Sequence, residues 1–102
     1  MKLVRNKIPE VIERESNCTP SYHIADPDEL EIRLYDKLAE EIQEFKDAPS
    51  AEEAADIFEA LRTLCWIHKI SMESVQNVAE KKREDKGGFH QGVVLEAVGE
   101  AP

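Results

Sequence analysis

The sequence has little cysteine, few aromatic residues and no long apolar run. Its two cysteines, Cys18 and Cys65, form no CxxC pair and have no zinc-type spacing to histidine, so they specify neither a disulfide framework nor a zinc site. Aromatic residues make up 6% of the chain, which favours a helical domain over a β-sandwich. No stretch reaches the roughly 18 apolar residues of a membrane span, and the first residues lack the apolar core of a signal peptide. We therefore predict a soluble, cytoplasmic protein without a membrane partner.

Positive charge is also scarce. The 102 residues carry 22 acidic and 13 basic side chains, a formal net charge of −9. Such a chain repels a phosphate backbone, so we expect no nucleic-acid polymer as a partner. Charged residues make up 34% of the sequence, a high share for one small domain, and the thin apolar content predicts self-association as a homodimer or tetramer.

Capping signals predict a helix hairpin in the middle of the chain. Asp26-Pro27 followed by Glu29 is typical of a helix start, and Ala48-Pro49 of a stop, so the first long helix should span 26–47. Ser50, with Glu53 three residues later, predicts a second helix over 50–69.

A third helix follows the hairpin. Ser71 predicts its start and Gly87-Gly88 its end, giving a helix over 71–86. We predict an all-α fold in which the hairpin and the third helix are completed by oligomerisation into a four-helix-type bundle. The single domain (1–102) then consists of a basic N-terminal arm (1–15), a helical core (26–86) and a C-terminal tail (87–102) that forms a short strand or an extended arm.

One carboxylate interrupts the apolar face of the first long helix. At about 100° per residue, one stripe is formed by Leu30, Leu34, Leu38, Ile42 and Phe45. Glu41 falls inside this stripe, and Glu44 lies at its edge. Burying an isolated carboxylate costs on the order of several kcal/mol, so Glu41 requires a partner or an ion.

The second long helix carries a matching pair of acids. Glu53 and Asp56 lie along one edge of its apolar stripe, and the hairpin turn brings them towards Glu41 and Glu44. No basic residue falls inside this set of four, and Lys37 lies only at its edge. An all-oxygen cluster of this kind suits Mg²⁺, or Mn²⁺ in its place.

Taken singly, most of these acids have simpler interpretations. Glu53 is in the position that caps its own helix, and Asp56 alone is typical of a surface residue. Glu40 and Glu59 are typical of a solvated helix face. Glu41 is the residue that such interpretations do not cover.

These residues carry a resemblance to a known family. KLAEEIQEF (37–45) and EEAADIFEAL (52–61) resemble the core of the all-α NTP pyrophosphatase superfamily, which includes MazG-type enzymes, dimeric dUTPases and phosphoribosyl-ATP pyrophosphohydrolase. VRNKIPE (4–10) and KKREDKGGF (81–89) make the chain most similar to the phosphoribosyl-ATP pyrophosphohydrolase-like subgroup. The resemblance extends from Lys2 to about Leu95.

The resemblance implies a reaction and a ligand set. Glu41, Glu44, Glu53 and Asp56 would be the Mg²⁺ ligands, with Glu40 as an additional carboxylate. The enzyme would hydrolyse a nucleoside triphosphate between its α and β phosphates, giving a monophosphate and pyrophosphate. Two departures stand out, because Asn6 replaces an aspartate usual in the subgroup and only eight residues separate Glu44 from Glu53.

Hydrolysis of a phosphoanhydride sets chemical requirements of its own. A carboxylate such as Glu40 or Glu44 could orient or deprotonate the attacking water. Cations are also needed for the phosphate oxygens, and the basic candidates are Lys82, Arg83, Lys86, Arg5 and Lys7. The three on the last helix have a simpler interpretation as cations that complement the helix dipole.

Two further functions remain open at this point. One keeps the reaction but takes phosphoribosyl-ATP as the substrate. The other is a non-catalytic helical dimer that binds divalent ions or a protein partner.

Overall fold

A computed structural model describes residues 1–100, and these contain four helices and no strand. The helices are α1 (Ile8–Ser16), α2 (Pro27–Asp47), α3 (Ala51–Ile67) and α4 (Met72–Lys86). The predicted all-α class is therefore confirmed. The alternative of a strand in the tail is wrong for residues 87–100, which have no regular secondary structure.

Side-chain caps fix the starts of the three longer helices. The Asp26 carboxylate accepts a hydrogen bond from the Glu29 backbone N–H, at 2.9 Å. The hydroxyls of Ser50 and Ser71 accept equivalent bonds from residues three positions later, at 3.1 Å each. At its other end α4 stops at Gly87, whose φ of 84° favours a residue without a side chain.

The hairpin of α2 and α3 contains the apolar core of the first 70 residues. Its two helices are joined by residues 48–50 alone, so they pack side by side. The buried apolar side chains are Leu34, Ala60, Leu64 and Cys65. At the end away from the turn, His68 Nε2 lies 2.9 Å from Glu31 Oε1. The core is thin because two of these four buried side chains, Ala60 and Cys65, are small.

The apolar stripe of α2 is wider than the surface that α3 covers. Ile42 and Phe45, predicted to face inwards, are 45% and 37% exposed, whereas Glu41 is 4% exposed. The reason is geometric, since a single facing helix shields only the strip around Leu34 and Glu41. Other large apolar side chains of the hairpin stay exposed in the same way: Ile32, Tyr35, Phe58, Leu61 and Trp66.

The chain divides into two compact units, residues 1–70 and the residues from Ser71 onward. The first contains α1, α2 and α3, and the second contains α4. No side chain of α4 is buried, and Val78 on this helix is 54% exposed.

No helix among residues 1–100 is both long enough and apolar enough to cross a membrane.

Candidate metal centre

The centre of the site is Glu41, on the face of α2 that meets α3. Its carboxylate is almost completely buried, and Oε1 lies 3.0 Å from the Lys37 ammonium one turn earlier. Oε2 is shielded from solvent and has no hydrogen-bond partner among the described residues. A buried charged atom without a partner is costly, so a cation held at this oxygen would stabilise the carboxylate.

The first turns of α3 bring two more carboxylates close to the Glu41 side chain. Glu53 follows the Ser50 cap, and Asp56 lies one turn further along the same face. One carboxylate oxygen from each of Glu41, Glu53 and Asp56 lies within 4.8 Å of the others. Glu53 Oε2 is also buried without a hydrogen-bond partner. Two of the three carboxylates in this group thus each have a buried oxygen without a hydrogen-bond partner.

A second group of acids shares Glu41. Oxygens of Glu40, Glu41 and Glu44 also lie within 4.8 Å of one another. Interaction with the Glu41 carboxylate, followed by burial, raises the pKa of Glu44, and the charge of Glu53 acts in the same direction. The four acids predicted to converge are therefore near one another, with Glu44 on the exposed side.

The turn between the helices is as short as the spacing of Glu44 and Glu53 requires. α2 ends at Asp47 and α3 begins at Ala51, so only three residues connect them. The last residue of the turn, Ser50, directs the Glu53 backbone into the first turn of α3. The few residues between Glu44 and Glu53 are therefore accommodated by a short turn, and Glu41 and Glu53 still lie near each other.

The prediction that no basic residue lies inside the four acids is wrong in one respect. Arg5 reaches the cluster from the chain's beginning, and its Nη2 donates to Asp56 Oδ1 at 2.7 Å. That hydrogen bond raises the pKa of the Arg5 guanidinium, and the charges of Glu59 and Glu41 add to the effect. The partners are 51 residues apart, so no local signal in the sequence could have paired them.

The other predicted phosphate-binding residues lie in two places. Lys7 is the exposed N-cap residue of α1, next to the exposed Asn6. Lys82, Arg83 and Lys86 are exposed in the last two turns of α4, in the second unit. Neighbouring Lys81 pairs with Asp85 at 3.6 Å. A role of these cations in binding phosphate stays a prediction.

Comparison with known proteins adds no relative. No protein-family model, curated protein or solved structure matches this chain.

Proposed function

We propose that this protein is a Mg²⁺-dependent nucleotide pyrophosphohydrolase. It cleaves a nucleoside triphosphate between the α and β phosphates and releases a monophosphate and pyrophosphate. One observation carries the proposal: the buried Glu41 Oε2 has no partner, and carboxylate oxygens of Glu53 and Asp56 lie within 4.8 Å of that side chain. The resemblance of the two long helices to the all-α NTP pyrophosphatases supplies the reaction.

The donor set fits a hard divalent cation. Mg²⁺ prefers oxygen ligands, is usually bound by a few carboxylates, and keeps several waters for a substrate to replace. Glu41, Glu53 and Asp56 would hold it in the hairpin, and Glu44 would complete the set from the exposed side. No cysteine or histidine belongs to either acidic group, which favours Mg²⁺ or Mn²⁺ over zinc.

The chain's own residues then have distinct tasks. A divalent ion held here would polarise phosphate oxygens and lower the pKa of a bound water. Glu40 and Glu44 orient the attacking water and accept its proton in this proposal, which their greater exposure than that of Glu41 supports. Arg5 and Lys7, which lie in the same unit as the acids, bind the remaining phosphate oxygens.

Exposed apolar side chains support a homo-oligomer. Among the described residues only four apolar side chains are buried, and none of them completely. Tyr35, Ile42 and Leu61 are 53%, 45% and 41% exposed on the hairpin. A second hairpin packed on this surface would make a four-helix-type bundle of the MazG-like kind, as a homodimer or, by further pairing, a tetramer.

The test is product analysis over a substrate panel. Purified protein is incubated with canonical and modified nucleoside triphosphates and with phosphoribosyl-ATP, in Mg²⁺, in Mn²⁺ and in EDTA. We expect metal-dependent release of pyrophosphate with an equal amount of monophosphate. Preference for phosphoribosyl-ATP would keep the reaction and change the substrate class.

Variants separate catalysis from folding. E41Q and D56N should lose at least about a hundredfold in kcat/KM while keeping the helical circular dichroism spectrum, because they remove charge from the metal site without changing side-chain shape. D36N is the matched control, since Asp36 is exposed on α2 and belongs to neither acidic group. Folded wild-type protein without turnover on any substrate would refute the enzyme and favour the non-catalytic dimer.

A further inference from the structure

The segment before α1, residues 1–7, contacts both helices of the hairpin. Arg5 Nη2 is 2.7 Å from Asp56 Oδ1 on α3, and Lys2 Nζ is 3.6 Å from Glu40 Oε1 on α2. Met1, Lys2 and Leu3 also line a small cavity against α2, together with Arg33, Asp36, Lys37 and Glu40. We call residues 1–7 the strap, because they span the acidic cluster from one helix to the other.

The strap supplies counter-charge to the cluster. Two of its three cationic side chains, Lys2 and Arg5, pair with acids from the two groups that share Glu41. Arg5 also lies in the field of Glu59 and Glu41. Both ion pairs are substantially exposed, with 56% of the Arg5 side chain and 62% of the Lys2 side chain accessible. Exposed ion pairs of this kind are weak, so a stronger cation can break them.

We propose that the strap is released by divalent cations: in the metal-free protein Arg5 neutralises Asp56, and a cation bound by Glu41, Glu53 and Asp56 displaces it. The inference depends on the metal site of the proposed function and adds a regulatory step to it. The double charge of a divalent cation bound to Asp56 outweighs the attraction between this carboxylate and the Arg5 guanidinium, so the cation repels Arg5. Displaced Arg5 is then free to bind phosphate oxygens, for which its planar fork is well suited.

A rival role for Arg5 predicts the opposite sign. Metal-binding carboxylates are often oriented by a second hydrogen bond, and Arg5 could hold Asp56 in this way while the ion binds. Removing an orienting residue weakens metal binding, whereas removing a competing counter-ion strengthens it. The direction of the change in affinity therefore decides between the two.

Calorimetric titration with Mn²⁺ measures that direction. We expect R5Q to bind Mn²⁺ more tightly than wild type, by up to about fivefold. This factor corresponds to the strength of an exposed ion pair, which Mn²⁺ must break in the wild type to reach Asp56. K7Q is the matched control, because it removes the same charge from the strap and Lys7 makes no ion pair within residues 1–100. K7Q should change the affinity by less than half as much as R5Q on a logarithmic scale.

Limited trypsin digestion measures release of the strap directly. Cleavage after Arg5, followed by mass spectrometry, should become at least about threefold faster in saturating Mn²⁺ than in EDTA, relative to cleavage after Lys86 in the same sample. The proposed release of the strap would be overturned by weaker Mn²⁺ binding of R5Q than of wild type, by equal effects of R5Q and K7Q on Mn²⁺ affinity, or by a cleavage ratio that does not change with Mn²⁺. Wild-type protein that binds no Mn²⁺ would overturn the proposed metal site as well.

Discussion

Replacing Glu41 by glutamine should stabilise the metal-free protein. Glutamine keeps the shape of the side chain and removes a charge that has one close cation, Lys37, at 3.0 Å. Four other carboxylates repel the Glu41 charge, because each has an oxygen within 4.8 Å of a Glu41 oxygen: Glu40, Glu44, Glu53 and Asp56. Lys37 is not orphaned by the change, since Glu40 Oε1 lies 3.9 Å from its ammonium.

The magnitude follows from these distances. At an effective dielectric constant of about 20, one like-charge pair at such a separation costs on the order of 3 kcal/mol, and the Lys37 contact returns about 5 kcal/mol. Arg5 offsets the repulsion from Asp56, and solvent screens the repulsions from Glu40 and Glu44 by about half, so the remaining repulsion of roughly 6 kcal/mol slightly exceeds the Lys37 attraction. The orphaned Oε2 adds a penalty of about 1–3 kcal/mol that the variant relieves only in part. We expect a net gain of about 1–2 kcal/mol.

Thermal unfolding in EDTA and in Mn²⁺ tests this prediction. A gain of 1 kcal/mol raises the Tm of a domain of this size by about 4–8 °C, so E41Q should unfold above wild type in EDTA. The order should reverse in Mn²⁺, because a ligand at about 100 times its Kd stabilises the wild type by about 2.7 kcal/mol. All proteins are compared at one chain concentration, with D36N as the control.

An E41Q Tm in EDTA below those of wild type and D36N would refute the reasoning. Glu41 would then be a structural partner of Lys37, and the acidic cluster would need no cation to be stable.

Three further outcomes check other parts of the account. Hydrogen bonds from Arg33 and, to a smaller extent, His23 lower the pKa of Glu29, so the ionised Glu29 stabilises the fold above its unfolded pKa of about 4.3 and this stabilisation is lost as the pH falls through the lower folded value. The difference in urea midpoint between wild type and E29Q should therefore shrink from pH 6 to pH 3, and a constant difference would contradict this. L64A should lower the free energy of unfolding by about 2–4 kcal/mol in chemical denaturation, because Leu64 is 5% exposed in a thin core, and a loss below about 1 kcal/mol would argue against the hairpin packing. I42E should reduce the mass measured by light scattering to that of one chain, and an unchanged mass would place the interface elsewhere.

Much of the fold could be predicted because its signals are local. Asp26, Ser50 and Ser71 each cap a helix through the backbone N–H three residues later, and such contacts are encoded in a few adjacent residues. The position of Glu41 inside an apolar stripe likewise indicated its burial, since helical periodicity alone places it there.

The remaining features depend on residues far apart in the chain. Arg5 and Asp56 meet only because the strap crosses the hairpin, and nothing near either residue indicates the pairing. The exposure of Ile42 and Phe45 depends on how much of α2 one facing helix can cover. Periodicity gives the direction of an apolar side chain, whereas the partner surface decides whether it is buried.

A crystal structure of the protein grown with Mn²⁺, with data collected at the manganese absorption edge, tests the central claim most directly. The account predicts an anomalous peak within bonding distance of Glu41, Glu53 and Asp56 oxygens, together with loss of the Arg5–Asp56 contact if the strap is released. Diffraction from Mn²⁺-saturated crystals with no peak between α2 and α3, or with manganese only at exposed acids elsewhere, would contradict it.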